Sequence, residues 1–366
     1  MPQSVNTLFI SHSQAQMLSP LFEHIEQKCN LEPIKELLRA IKGRNPKANQ
    51  DVVLGATKAE AVRNLQQAVA LGHAQPSEVH DLLRRSEEAG HQHVLLLCPA
   101  PDPDGPDNMD GEAVFAKLFN SIPPGFFPRF EYPSNGYAWS DFRYNAGSGS
   151  WLAKAYGREV VKASVGLTTE DLGDGRIQEI REYEYRDVKT LLVAKWNAEP
   201  NILEMRIDVS GIQNNQTLPD RRNAFWKLFE SAFGRNNFVG LDIDQLLHTL
   251  VFDREKPENQ QAYTISRVEL TDPRSGLIRV LPFQSEEFDK DEGRKKALSA
   301  MESSNFRPSS VRIDWKPVTD IFPSVMKDPL ATIVEKTENG PEVRILKKVP
   351  SEVYDYVFGE LRKRLA

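Results

Sequence analysis

Residues 99–111 read PAPDPDGPDNMDG, a density of proline, glycine and aspartate that neither a packed helix nor a central strand accommodates. Apolar residues follow different periods on its two sides. Ahead of it they recur at helical spacing, and beyond it they fall in short runs separated by turn residues. This single change of texture predicts an α+β chain of two units. A helical domain spans residues 1–98, a linker spans 99–111, and a larger β-rich α+β domain spans 112–366, with a mixed, mainly antiparallel sheet and packed helices. A chain of 366 residues is longer than one domain usually runs, which agrees with this division.

Four helices are expected in the first unit. Ser19–Cys29 carries Leu21, Ile25 and Cys29 on one stripe, with Ser19 as cap and Pro20 as first helical residue. Glu32–Ile41 repeats the pattern with Ile34, Leu37, Leu38 and Ile41. Thr57 to about Leu71 points Ala61, Val62, Leu65 and Val69 inward and ends at Gly72. Pro76 and Ser77 open the fourth, which Gly90 closes, and Val94–Leu97 then reads as a strand or a short buried segment.

In the second unit two hairpins are expected, Val188–Trp196 with Ile202–Val209 through NAEPN, and Tyr263–Leu270 with Leu277–Pro282 through TDPRSG. Helices are expected at Glu112–Phe119, Asp220–Phe233, Asp242–Phe252 and Glu286–Met301. A strand at Ser310–Trp315, a hairpin over Ala331–Lys347 and a terminal helix capped by Ser351 complete the reading.

Several function classes are excluded at this level. The longest apolar run, Val94–Leu97 with Cys98, is far short of the roughly 20 residues that cross a bilayer. The first residues, MPQSVNTLFISHSQ, lack the basic and apolar regions of a secretory signal, so a cytoplasmic protein without a membrane partner is expected. Cys29 and Cys98 give neither a disulfide framework nor a zinc set, and both read as small buried side chains. The phosphate-binding glycine motifs are missing, so no cofactor is assigned. A net charge of -6 excludes a surface that is basic throughout, though not a local basic face.

One segment carries a specific pattern. Residues 33–66 read PIKELLRAIKGRNPKANQDVVLGATKAEAVRNLQ, with Leu37, Leu38, Gly55, Lys58 and Leu65 marking two helices and the loop between them. A helix N-terminus offers free N–H groups and a positive dipole end to a phosphate, Lys58 adds charge in the first turn, and Gly55 permits close backbone approach. Arg39, Lys42, Arg44, Lys47 and Arg63 extend a basic edge.

This segment resembles a SAP domain, a DNA-binding helix-loop-helix, and the resemblance implies phosphate contacts along duplex DNA by those residues. The succession of a helical unit and a sheet unit is, more loosely, similar to the kinetochore centromere protein N family, a precedent for two domains sharing one nucleic-acid ligand. Together these lead to the expectation of a non-enzymatic DNA-binding subunit of a larger intracellular assembly with protein partners, in genome maintenance or antiviral defence.

Two alternatives stand beside it. A metal-dependent nuclease would assemble acids from separated strands, with Asp187, Glu204 and Asp208 beside Lys189 and Lys195, although Glu204, Arg206 and Asp208 alternate as the exposed face of a half-buried strand would. A protein adaptor would need none of these. Minor candidates read as structural. They are His91 and His93 at a turn, His248 on a helix surface, the NAGSGS stretch at 145–150, and the aromatic segment Phe126–Trp151 with Arg129 and Arg143.

Overall fold

The computed structural model describes residues 12–44, 51–101, 109–119, 131–209, 217–252, 263–281 without 273 and 275, 292–316, 329–349 without 339 and 348, and 351–364. Among the described residues four helices come first: α1 (His12–Lys28), α2 (Leu31–Arg44), α3 (Lys58–Ala70) and α4 (Pro76–Glu88). Their buried stripes, among them Leu21, Ile25, Ile34, Leu38, Leu65, Val69, Val79 and Leu83, close into one core. The helix expected to open at Ser19 in fact begins at His12 and holds Pro20 inside it. Burial of Leu21, Phe22 and Ile25 directly after the proline outweighs the one hydrogen bond its ring removes.

The rest of the chain builds one antiparallel sheet of eleven strands in the order β2-β3-β4-β5-β1-β11-β10-β9-β7-β8, with β6 also on β1. These strands are β1 (Gln92–Pro99), β2 (Gly136–Asn145), β3 (Ser150–Gly173), β4 (Arg176–Asn197), β5 (Ile202–Asp208), β6 (Phe238–Gly240), β7 (Tyr263–Thr271), β8 (Leu277–Val280), β9 (Arg307–Trp315), β10 (Leu330–Thr337) and β11 (Gly340–Ile345). Among the described residues five more helices cover it: α5 (Gly111–Phe119), α6 (Thr217–Phe229), α7 (Asp244–Val251), α8 (Glu292–Ser303) and α9 (Ser351–Lys363). The architecture is α+β, helices first and a larger sheet unit after them. β1, grouped with the helices on sequence, hydrogen-bonds β5 on one side and β11 on the other, so it lies near the middle of the sheet.

Side chains alternate across β1 and divide the core in two. Val94 and Leu96 enter a cluster with α7, α9 and strands β7 to β11. Leu95 and Leu97 enter another with α5, α6 and strands β3 to β5. The β4–β5 and β7–β8 hairpins pair as the turn residues indicate, with Asn197 opposite Ile202 and Thr271 opposite Leu277. Trp139, Phe142 and Trp151 of the aromatic segment pack with Phe229 and Phe233 inside the second cluster, while Phe126, Phe127, Arg129 and Phe130 lie outside the described residues.

Candidate functional site

Gly55 sits at φ +76°, and a Cβ there would come within 2.7 Å of Ala61 N, so only glycine lets the loop close against α3. Thr57 caps that helix: its Oγ1 accepts from Glu60 N, and the Glu60 carboxylate accepts from Thr57 N at 3.1 Å and Ala56 N at 2.8 Å. Three backbone donors around this N-terminus are therefore already taken by the protein's own side chains. Lys58 opens α3 half-buried, and Arg63 is exposed five residues on, about 140° around the axis, so the two do not share a face.

On α2, Arg39 pairs with Glu32 at 2.7 Å, and Arg44 makes a two-pronged pair with Glu78 of α4, one contact at 2.7 Å. The Glu78 carboxyl is held below its usual range first by Arg44. Lys42 is half-buried in the last turn of α2, and Lys47 lies outside the described residues. A groove of about 590 Å³ between α2, α4 and the start of α9 is edged by Glu32, Glu36, Asp81 and Glu352. Burial and then Glu32 push the Glu36 carboxyl above its usual range.

The strongest electrostatics lie where the helical unit meets the sheet. Glu87, at the end of α4, is buried and takes Lys154 of β3 at 2.9 Å and the Tyr156 hydroxyl at 2.8 Å, with His24 of α1 at 3.7 Å. Burial alone would raise its pKa, but Lys154 and His24 outweigh burial and hold it at about 2. His24 stacks on Tyr132, which stacks on Tyr156. Alongside, Arg143 pairs with Glu88 and Asp141, so it is not free to stack on a base.

The alternation of Glu204, Arg206 and Asp208 does not mark an exposed face. All seven residues of β5 are buried, because helices cover both faces of the sheet there. Glu204 accepts from Arg206 at 2.6 Å and Asn197 at 2.8 Å, and Arg362 of α9 lies at 3.5 Å. Its carboxyl, which burial would raise, is pulled by Arg206 and Lys195 to about 2. Asp208 takes Lys28 of α1 at 3.1 Å. Asp187 stands 61% exposed on an outer stretch of β4. These acids are spent on ion pairs or stand apart, and among the described residues no three His, Cys, Asp or Glu gather as a metal site.

His93 is not a turn residue: it lies on β1 with Glu342 of β11 at 2.5 Å, and Arg222 of α6 reaches the same carboxylate at 3.0 Å. His248 pairs with Glu302 of α8 at 3.0 Å. The 146–149 turn joins β2 to β3, and its Gly147 and Ser148 N–H groups are satisfied by Asn145 Oδ1. Cys29 is buried and Cys98 partly exposed.

The feature that sequence reasoning missed is a ribbon. β3 and β4 stay paired from Trp151–Trp196 out to Gly173–Arg176, while β2 leaves β3 at Arg158 and β5 leaves β4 at Leu192. Beyond Val160 two strands project alone for roughly 40 Å. The turn at the tip is Asp174-Gly175 with φ of 54° and 75°, the two-residue form that a right-handed ribbon favours. That dipeptide between alternating residues was the available signal.

Register places Val160, Leu167, Ile177, Tyr183 and Tyr185 on one side of this ribbon, with Val160 66%, Ile177 68% and Tyr185 75% exposed. That side continues inward to Tyr156 and Leu191, where Tyr132 packs. The opposite side carries Gln178, Ile180, Glu182, Glu184 and Arg186. No helix among the described residues is long and apolar enough to cross a membrane. The sequence matches no protein-family model and no curated protein.

Proposed function

We propose that this chain is a non-enzymatic subunit of a larger assembly and that it grips a protein partner along the β3–β4 ribbon. One observation carries the reading: five large apolar side chains share one side of a two-stranded projection that has no core of its own. A lone hairpin is marginal in water, and large exposed apolar side chains interleaved on one side with Lys162, Asp171, Glu179, Arg181 and Asp187 are characteristic of a mixed surface that another chain covers. Both edges of the ribbon also offer unpaired backbone groups, to which a strand of the partner can add.

The test is site-specific photo-crosslinking in the native cells, with a crosslinking phenylalanine derivative at Tyr185 or, on the opposite side, at Gln178. A polypeptide adduct from position 185 that is absent or much weaker from 178 is the expected result. No adduct at 185 above that at 178 overturns the reading.

Duplex DNA along the helical unit is the second reading. It rests on Lys42, Lys58 and Arg63 of the SAP-like segment, for which no ion pair occurs among the described residues, whereas Arg39 and Arg44 are neutralised. It supposes that a phosphate displaces the Glu60 carboxylate from the α3 N-terminus. Binding of a short duplex at several salt concentrations is expected to weaken at least tenfold in Lys58→Glu/Arg63→Glu, with a shallower salt dependence by about two contacts. Equal affinity of the two proteins removes DNA from the SAP-like segment.

A further inference from the structure

A second cavity lies on the other face of the sheet, away from both the ribbon and the helical unit. Its volume is about 360 Å³, near the lower end of the range for small-molecule sites. β1 explains its position. Along one edge β1 pairs first with β11, Leu95 opposite Glu342, and then with β6, Leu97 opposite Gly240. The cavity opens beside this step between two neighbours, and α6 forms its outer wall.

Pro219, Arg222, Asn223 and Trp226 recur at helical spacing along α6, so one face of that helix lines the space. Leu95, Leu97 and Phe238 supply an apolar floor. Trp226 is only half-buried and already packs on Phe238 with ring centres 6.2 Å apart, which leaves ring surface toward the cavity.

Arg222 is 8% exposed. One arm of its guanidinium is anchored to Glu342, itself gripped by His93, while its Nε has no hydrogen-bond partner among the described residues. A buried guanidinium with an unmet donor is costly, and an oxyanion beside it in the cavity would offset its charge. Arg235, exposed at the mouth, brings a second guanidinium to the same space, and Glu338 is the one acid among the described lining residues.

We infer that this cavity binds a small organic anion with a flat apolar body, its phosphate or carboxylate between Arg222 and Arg235 and its ring against Trp226. The planar fork of arginine matches either oxyanion, and indole stacks on either kind of ring.

Four probes separate the parts of this inference: adenosine monophosphate, adenosine, indole-3-acetate and inorganic phosphate, each titrated calorimetrically into the full chain. Binding of adenosine monophosphate or indole-3-acetate, at least tenfold tighter than adenosine and inorganic phosphate, is expected, and which of the two wins identifies the oxyanion. Arg235→Ala, on the surface and free of the core, is expected to weaken that binding roughly tenfold, and Trp226→Phe to weaken it less. Arg222→Lys keeps the buried charge but loses the fork. It is expected to bind poorly while its melting temperature without ligand confirms folding. No binding by either anion, or binding that Arg235→Ala and Arg222→Lys both leave unchanged, overturns the inference.

Discussion

Glu87 shows how a single side chain joins two units built from distant parts of the chain. It ends α4, yet its carboxylate belongs to β3 through Lys154 and Tyr156 and to α1 through His24. Both members of the Glu87–Lys154 pair are about 1% exposed. For such a pair the attraction roughly offsets the desolvation of both charges, but losing one partner strands the other. Glu87→Gln leaves Lys154 only the more distant Glu88 carboxylate at 3.7 Å, and is expected to cost at most about 3–5 kcal/mol, with Glu87→Gln/Lys154→Met recovering most of that loss, in urea unfolding of the full chain. A double variant as unstable as the single one would mean that Lys154 is not what suffers when Glu87 loses its charge.

At the scale of elements, what could be read in the sequence followed local chemistry. The helices α2 to α4 were legible because Leu38, Leu65, Val79 and their neighbours repeat at helical spacing. The β4–β5 and β7–β8 hairpins were legible from their turns. The outer ribbon was not, because apolar alternation marks a strand with one buried face, and this ribbon buries neither.

β3 compounds the difficulty with bulges at Val165 and Leu172, which break the two-residue period. The same bulges interrupt the ladder along its outer edge, whereas β4 runs regular through the same stretch. A partner strand adding to the ribbon thus finds its continuous edge on β4, between Arg176 and Val188. Of the candidate contacts, the two helices of the SAP-like segment were located correctly, while residues 45–50 between them lie outside the described residues. The acids that answer its arginines, Glu32 and Glu78, were visible as residues but not as partners, since only the fold sets Arg44 against Glu78, 34 positions away.

For the whole molecule, the buried ion pairs make the join between helices and sheet sensitive to acid. Glu87 links α1 and α4 to β3, Glu204 links β5 to α9, and Glu342 links β11 to β1 and α6. Glu87 and Glu204 titrate at about 2 in the folded chain, against an ordinary value of 4.5, and Glu88 and Glu342 are also lowered. In every case burial pushes the other way and the neighbouring cations prevail. A carboxyl depressed by folding binds its proton more readily in the unfolded chain. Its contribution is complete above the unfolded value and is lost as pH falls through the folded one. Stability is thus expected to be level just above about pH 5 and to fall steeply between about pH 5 and pH 2. Because the Glu87 and Glu88 pairs span both units, the loss should be shared: circular dichroism and tryptophan fluorescence should report one common midpoint at each pH. Glu204→Gln, with one such group removed, should show a shallower fall over the same interval than the native chain. A melting temperature that stays level down to about pH 3, or two separate transitions for the helical and sheet units, would show that these pairs do not hold the units together.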